Sequence, residues 1–184
     1  MKKVNFTQML DGKRADYDLG AAYDEELATG LSDRMMQWLR AMDGPSVYHI
    51  SRLEHSLQTA TRAEHDGADE ETVVCALLHD IGDVIAPANH SQVAAAMLRP
   101  YVSEKNCWVI EHHGLFQGYY YFHHFDQNRN ERDRYKDHPY YEACVDFCHH
   151  WDQASFDPNY PTLPLEHFEP AVKAILNRKP RSFF

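Results

Sequence analysis

Ala76-Leu77-Leu78-His79-Asp80-Ile81-Gly82-Asp83 is the point at which an apolar run stops on a His-Asp pair. Val73, Val74, Ala76, Leu77 and Leu78 predict a heavily buried helix. It opens near Asp69-Glu70-Glu71, where acids suit the positive end of a helix. Such a helix delivers His79 and Asp80 to the core. Burying an imidazole beside a carboxylate is costly unless each has a partner. A metal ion would serve both, and so would an ordinary polar contact, so the dipeptide alone does not decide.

Outward from this helix the same periodicity recurs. A helix is expected from about Ser51 to His65, with Leu53, Leu57 and Ala60 on one side and Gly67 as its terminator. Downstream, a helix starts close to His90, carries Val93, Ala94 and Met97, and stops at Pro100. A fifth spans about Ser103 to His113. Upstream, Leu27, Leu31, Met35 and Leu39 recur every four residues and predict one helix from about Asp24 to Met42, ended by Asp43-Gly44-Pro45. Residues 1–20 read as a loosely packed arm. Residues 114–140, rich in aromatics and charge, read as a short helix with a long loop. A helix from about Pro139 to Gln153, a proline-rich loop from Asp157 to Pro164 and a last helix starting at or shortly before Pro170 complete the chain. No run alternates with period two. The expected class is all-α, a single domain over residues 1–184.

Composition narrows the partners. Hydrophobic content of 43% and charged content of 25% indicate a globular chain. The net charge of −10, from 28 acidic and 18 basic residues, argues against a nucleic-acid partner. A small-molecule substrate is expected instead. The first residues lack the apolar core of a signal peptide, and no stretch is apolar enough to span a membrane, so no membrane partner and a cytoplasmic location are expected. Cys75, Cys107, Cys144 and Cys148 form no C-x-x-C pair. Cys144 and Cys148, one turn apart, read as buried small residues rather than a redox pair.

The unusual figure is 13 histidines. His55 lies on the helix before His79, in LEHSLQTA. His90 opens the helix after it, in NHSQVAA. His113 ends the next, in IEHHG, and Asp152 ends a later one, in HHWDQASFD. Each falls near a helix end or on a face able to converge on His79 and Asp80. Imidazole and carboxylate donors suit first-row transition metals, iron especially. Six ligands exceed what one tetrahedral ion needs, which implies two metals bridged by Asp80.

The series His, His-Asp, His, His, Asp resembles the HD-domain superfamily in its dinuclear form. LEHSLQTA, ALLHDIGD, NHSQVAAAML and IEHHG look closest to its mixed-valent di-iron oxygenases, and the resemblance runs from Tyr48 to Asp152. It implies an HD-domain helical bundle holding two iron ions (Fe2+/Fe3+), with O2 as cosubstrate. His55, His79, Asp80 and Asp152 would hold one iron; Asp80, His90 and His113 would hold the other. His113 matches the family pattern better than its neighbour His112. The implied activity is oxidative cleavage of a C–P or C–C bond. A metal-dependent phosphohydrolase acting on a nucleotide or small phosphoester is the alternative.

Candidate substrate contacts are Tyr48, Glu54, Asp83, Gln117 and Tyr119. Glu54 reads equally as a helix-surface acid. Asp83 and Gln117 stand where relatives carry cationic groups that grip an anion. The remaining cations Arg52, Arg62, Arg129, Arg132, Arg134 and Lys136 read mostly as surface. A carboxylate at 83 attracts an ammonium, and the run Tyr119-Tyr120-Tyr121-Phe122 would offer it ring faces or simply pack a loop. A small hydroxylated zwitterion, such as a 1-hydroxy-2-(trimethylamino)ethylphosphonate, fits this reading, with its cationic end near Asp83.

Overall fold

The computed structural model describes residues 2–181; Met1 and residues 182–184 of the expected domain lie outside them. Among the described residues there are eight α-helices and no strand, the helical bundle expected from the sequence. They are α1 (Arg14–Thr29), α2 (Leu31–Ala41), α3 (Arg52–His65), α4 (Glu70–Leu78), α5 (His90–Leu98), α6 (Glu104–Tyr121), α7 (Tyr141–Asp146) and α8 (Leu165–Leu176). Among the described residues no helix is long and apolar enough to cross a membrane.

The starts of the central helices follow from their caps. Ser51 Oγ accepts the Glu54 N–H at 3.1 Å, Asp69 Oδ1 accepts the Thr72 N–H at 2.7 Å, and Ser103 Oγ accepts the Asn106 N–H at 3.2 Å. Gly67 ends α3 at φ +79°, a left-handed conformation that glycine adopts without strain. α4 is the hub. Val74, Ala76, Leu77 and Leu78 are all 0% exposed. α3 packs along one side of this hub and α8 against another, while α5 and α6 pair with each other. The Glu71 carboxylate ties the hub to its surroundings. It accepts the Ser103 N–H at 2.7 Å and the Asn106 amide at 3.0 Å, and it pairs with Arg178 at 2.5 Å. All four cysteines are reduced and buried. Cys144 and Cys148 donate to the carbonyls of Val109 and His113, seating α7 and the turn after it on α6.

Several boundaries differ from expectation. The helix expected over 24–42 is two helices, because Gly30 leaves helical geometry (φ −81°, ψ 4°), and Leu27 is left exposed. α1 starts at Arg14, inside the expected arm, where Asp16 accepts from the Asn5 and Lys13 backbone N–H groups. α6 does not stop at His113 but continues to Tyr121, so the first eight residues of the expected loop region are helix. α8 starts at Leu165 and carries Pro170 inside it rather than in its first turn. The helix expected over 139–153 becomes a π-helical turn at Phe147–Asp152. The extra residue that a π turn accommodates changes where its last side chain points.

Candidate metal centre

His55 sits in the first turn of α3, His79 and Asp80 directly after α4, His90 at the first position of α5, His113 in the middle of α6 and Asp152 at the end of the π turn. These five places converge. His55 Nε2 lies 3.1 Å from His79 Nε2 and 3.2 Å from Asp152 Oδ1, and His79 Nε2 lies 3.7 Å from Asp152 Oδ1. Asp80 faces both ways. Its Oδ2 is 3.5 Å from His79 Nε2 and 3.6 Å from His55 Nε2; its Oδ1 is 3.3 Å from His90 Nε2 and 3.3 Å from His113 Nε2. Donors on one metal, each about 2.1 Å from it and about 90–110° apart, lie about 3.0–3.4 Å from one another. His55, His79 and Asp152 lie close to that spacing, and Asp80 enters two further groups of donors near enough to share an ion, one with His79 and His113 and one with Asp83 and His90.

The backbone sets the tautomers. His55 Nδ1 donates to Ser155 O at 2.8 Å, His79 Nδ1 to Ala76 O at 2.7 Å and His113 Nδ1 to Ile110 O at 2.7 Å. A carbonyl only accepts, so each Nδ1 carries a proton and each Nε2 faces inward, where a metal would displace any proton it carries. His90 is held more loosely, with Pro87 O 3.2 Å and Asp83 Oδ1 3.6 Å from its Nδ1.

Burial works against the ionised forms of Asp80 and Asp152, yet the neighbouring imidazoles, His79 foremost, hold both carboxyls below the usual range. Burial pushes His79 down to about 4. At His55 burial is outweighed by Asp152 and then Asp80, which raise it to about 9; at His113 Asp80 likewise outweighs burial. Two ionised carboxylates and four inward-facing ring nitrogens therefore share one pocket. Asp152 Oδ2 is buried with no hydrogen-bond partner. A divalent cation among these atoms would satisfy the orphaned oxygen and separate the facing His55 and His79 nitrogens, so the donor set fits a metal centre.

The glycine of the His-Asp-Ile-Gly turn makes this approach possible. A Cβ on Gly82 would fall against the His90 backbone, 2.7 Å from its Cα and 2.8 Å from its carbonyl carbon. Gly82→Ala must push the start of α5 away. It is expected to cost about 1–3 kcal/mol in reversible unfolding and to loosen metal held through His90. Wild-type stability together with wild-type metal retention would rule out this account of the glycine.

The donors open onto a cavity of about 970 Å³. Tyr48 and Gln117 lie on its wall, and Gln117 Oε1 is buried without a partner among the described residues. The other three expected contacts do not line it. Glu54 lies in the capped first turn of α3. Asp83 is paired with Arg52. The Tyr119 ring is covered by Arg129 and Arg132, whose guanidinium carbons stand 4.0 and 3.9 Å from its centroid. The cavity instead presents the rings of Tyr121, Phe122, Phe125 and Phe156, with Arg52 on its wall. Phe156 was not singled out from sequence, and Arg52 was named only among cations read mostly as surface. Phe156 sits in an aperiodic loop, and only its four-residue distance from Asp152 hinted at a role.

No curated protein matches the chain. The family model of the HD domain matches residues 52–145, half of the 184-residue chain, opening three residues before His55 and closing before Asp152. With this match and the His79-Asp80 pair at the centre of the converging donors, the chain belongs to the HD-domain family.

Proposed function

We propose that the protein is a di-iron, O2-dependent oxygenase that cleaves a C–P or C–C bond of a small hydroxylated zwitterion, of which a 1-hydroxy-2-(trimethylamino)ethylphosphonate is the type. The observation that carries the reading is the division of the Asp80 carboxylate between two donor sets at the floor of one cavity. His55, His79, Asp80 and Asp152 would hold one iron, and Asp80, His90 and His113 the other. Bound iron supplies the redox chemistry that O2-dependent bond cleavage requires. The second set has three protein donors, which leaves positions for substrate oxygens.

The chain's own part is recognition and exclusion of water. Tyr48, Tyr121, Phe122, Phe125 and Phe156 offer ring faces to a quaternary ammonium, each worth about 0.5–2 kcal/mol when desolvated. They replace Asp83 as the seat of the cationic end, because Arg52 already neutralises that carboxylate. Arg52 and the Gln117 amide offer contacts to the anionic and hydroxyl groups. The cation on the wall also supports the second reading, hydrolysis of a phosphoester.

Reconstitution with ferrous ion under anaerobic conditions is expected to give two irons per chain. Addition of the trimethylaminophosphonate is then expected to consume O2 and release inorganic phosphate. Phosphate released from phosphoesters without O2 uptake would replace the oxygenase reading with the hydrolase one. One iron or none after reconstitution would end the dinuclear reading.

A further inference from the structure

We infer that Gln58 is a positioning residue for one metal of the pair, acting as a clamp that holds the chain after Asp152 against His55; the inference rests on the dinuclear reading. Gln58 stands one turn after His55 on α3 and is 0% exposed. A buried primary amide needs partners for both its ends. Gln58 finds both on a single residue 99 positions away: its Nε2 donates to Asp157 O at 2.7 Å, and its Oε1 accepts the Asp157 N–H at 3.3 Å. Such two-point pairing fixes the Asp157 peptide in position and orientation, as a strand partner would.

What lies just before Asp157 gives the clamp its consequence. Ser155 O accepts from His55 Nδ1 at 2.8 Å, and that bond turns the His55 Nε2 lone pair toward the centre. The Phe156 ring stacks on the His55 ring at 4.6 Å, and Tyr48 packs on Phe156 at 4.9 Å. Asp152, which shares the first donor set with His55, ends the π turn only three residues before Ser155. The segment 152–157 thus supplies a ligand, the carbonyl that orients a second ligand, and a cavity wall. Local bonds tie its first half to the preceding turn, Gln153 N–H to Cys148 O at 3.0 Å, Ser155 N–H to Asp152 O at 3.1 Å and Ser155 Oγ to Trp151 O at 2.6 Å, and Gln58 grips its far end. His90 and His113 are oriented from α5 and α6 and do not depend on this segment.

Gln58→Met keeps the length of the side chain and removes both bonds. Zinc serves as the probe, because it is diamagnetic and accepts N/O donors. Zinc-loaded wild type is expected to hold two ions per chain and to show slowly exchanging Nδ1 protons for His55, His79 and His113. Gln58→Met is expected to bind one of the two ions at least about tenfold more weakly, the range seen when the partner of a ligating histidine is lost. Its His55 Nδ1 proton is expected to exchange at least about tenfold faster, with those of His79 and His113 unchanged. A merely structural loss would move all three protons together. Gln58→Glu keeps the bond from the Asp157 N–H and loses the one to its carbonyl, so it is expected to fall between wild type and Gln58→Met. It carries the test alone if Gln58→Met does not fold. Fewer than two zinc ions in wild type would overturn the dinuclear reading. Wild-type affinity for both ions and an unchanged His55 proton in the variants would overturn the clamp.

Discussion

Asp80→Ala is expected to lose both metals and all O2 uptake while keeping a helical far-UV spectrum. Under the proposed two-iron reading the four inward-facing imidazoles form two pairs, and the Asp80 carboxylate lies between them. Its Oδ2 stands 3.5 Å from His79 and 3.6 Å from His55, and its Oδ1 stands 3.3 Å from both His90 and His113. Removing it leaves the second set with two imidazoles and no anion, too little to hold a divalent ion against water. The first set keeps His55, His79 and Asp152 but gives up half of its negative charge. Asp152→Ala is the informative contrast, because the Asp152 carboxylate faces His55 and His79, at 3.2 and 3.7 Å. That variant is expected to keep one iron per chain where Asp80→Ala keeps none. The fold survives both changes because the hub helix α4 is buried through Val74, Ala76, Leu77 and Leu78, independently of the centre. Two irons in purified, reconstituted Asp80→Ala would show that Asp80 does not bridge.

The order of these effects was legible in the sequence to the extent that periodicity and capping carry it. Apolar periodicity, the acids at Asp69-Glu70-Glu71 and the terminator Gly67 placed α3 and α4 within a residue or so, and the structure adds Ser51 and Asp69 as their caps. Once those helices are placed, His55 and His79 fall at positions able to converge. His90 and His113 sit on α5 and α6, which pair with each other, but their place in the ligand set is what the family resemblance implies. Local pattern could not show the tertiary partner of a charge. Asp83 looked like a free carboxylate beside the centre, but Arg52, 31 residues earlier, pairs with it. It could not show the fate of an aromatic run either. Tyr119, Tyr120 and Tyr121 have no helical stripe to read, yet they extend α6, because Phe116 is fully buried one turn before Tyr120 and Tyr119 is roofed by arginines from the following loop. The π turn at Phe147–Asp152 departs from the 3.6-residue period on which the expectation was built. Ser155 acts through its backbone carbonyl, which leaves no trace in side-chain chemistry.

The adjacent pair His112-His113 gives the second large effect. Consecutive residues on a helix point in different directions, so at most one of the two faces the centre. His113 is 2% exposed, its Nδ1 donates to Ile110 O, and its Nε2 lies 3.3 Å from Asp80 Oδ1. His112 turns the other way. Its Nδ1 donates to Trp108 O at 2.9 Å, its ring stacks on Trp108 at 4.2 Å, and Tyr135 meets it edge-on at 4.8 Å. That is an aromatic packing role, worth about 0.5–1.5 kcal/mol per well-formed ring pair. His112→Ala is therefore expected to lower the midpoint of thermal unfolding while leaving two irons per chain and O2 uptake near the wild-type rate. His113→Ala removes one of only three donors in the second set. It is expected to keep the iron shared by His55, His79 and Asp152, to lose the other and to show no O2 uptake. Because the two residues share a helix turn, general damage to α6 would affect both variants alike; only the ligand assignment separates them. Metal analysis beside the O2 electrode reads the difference, and loss of iron in His112→Ala with retention in His113→Ala would reverse the assignment.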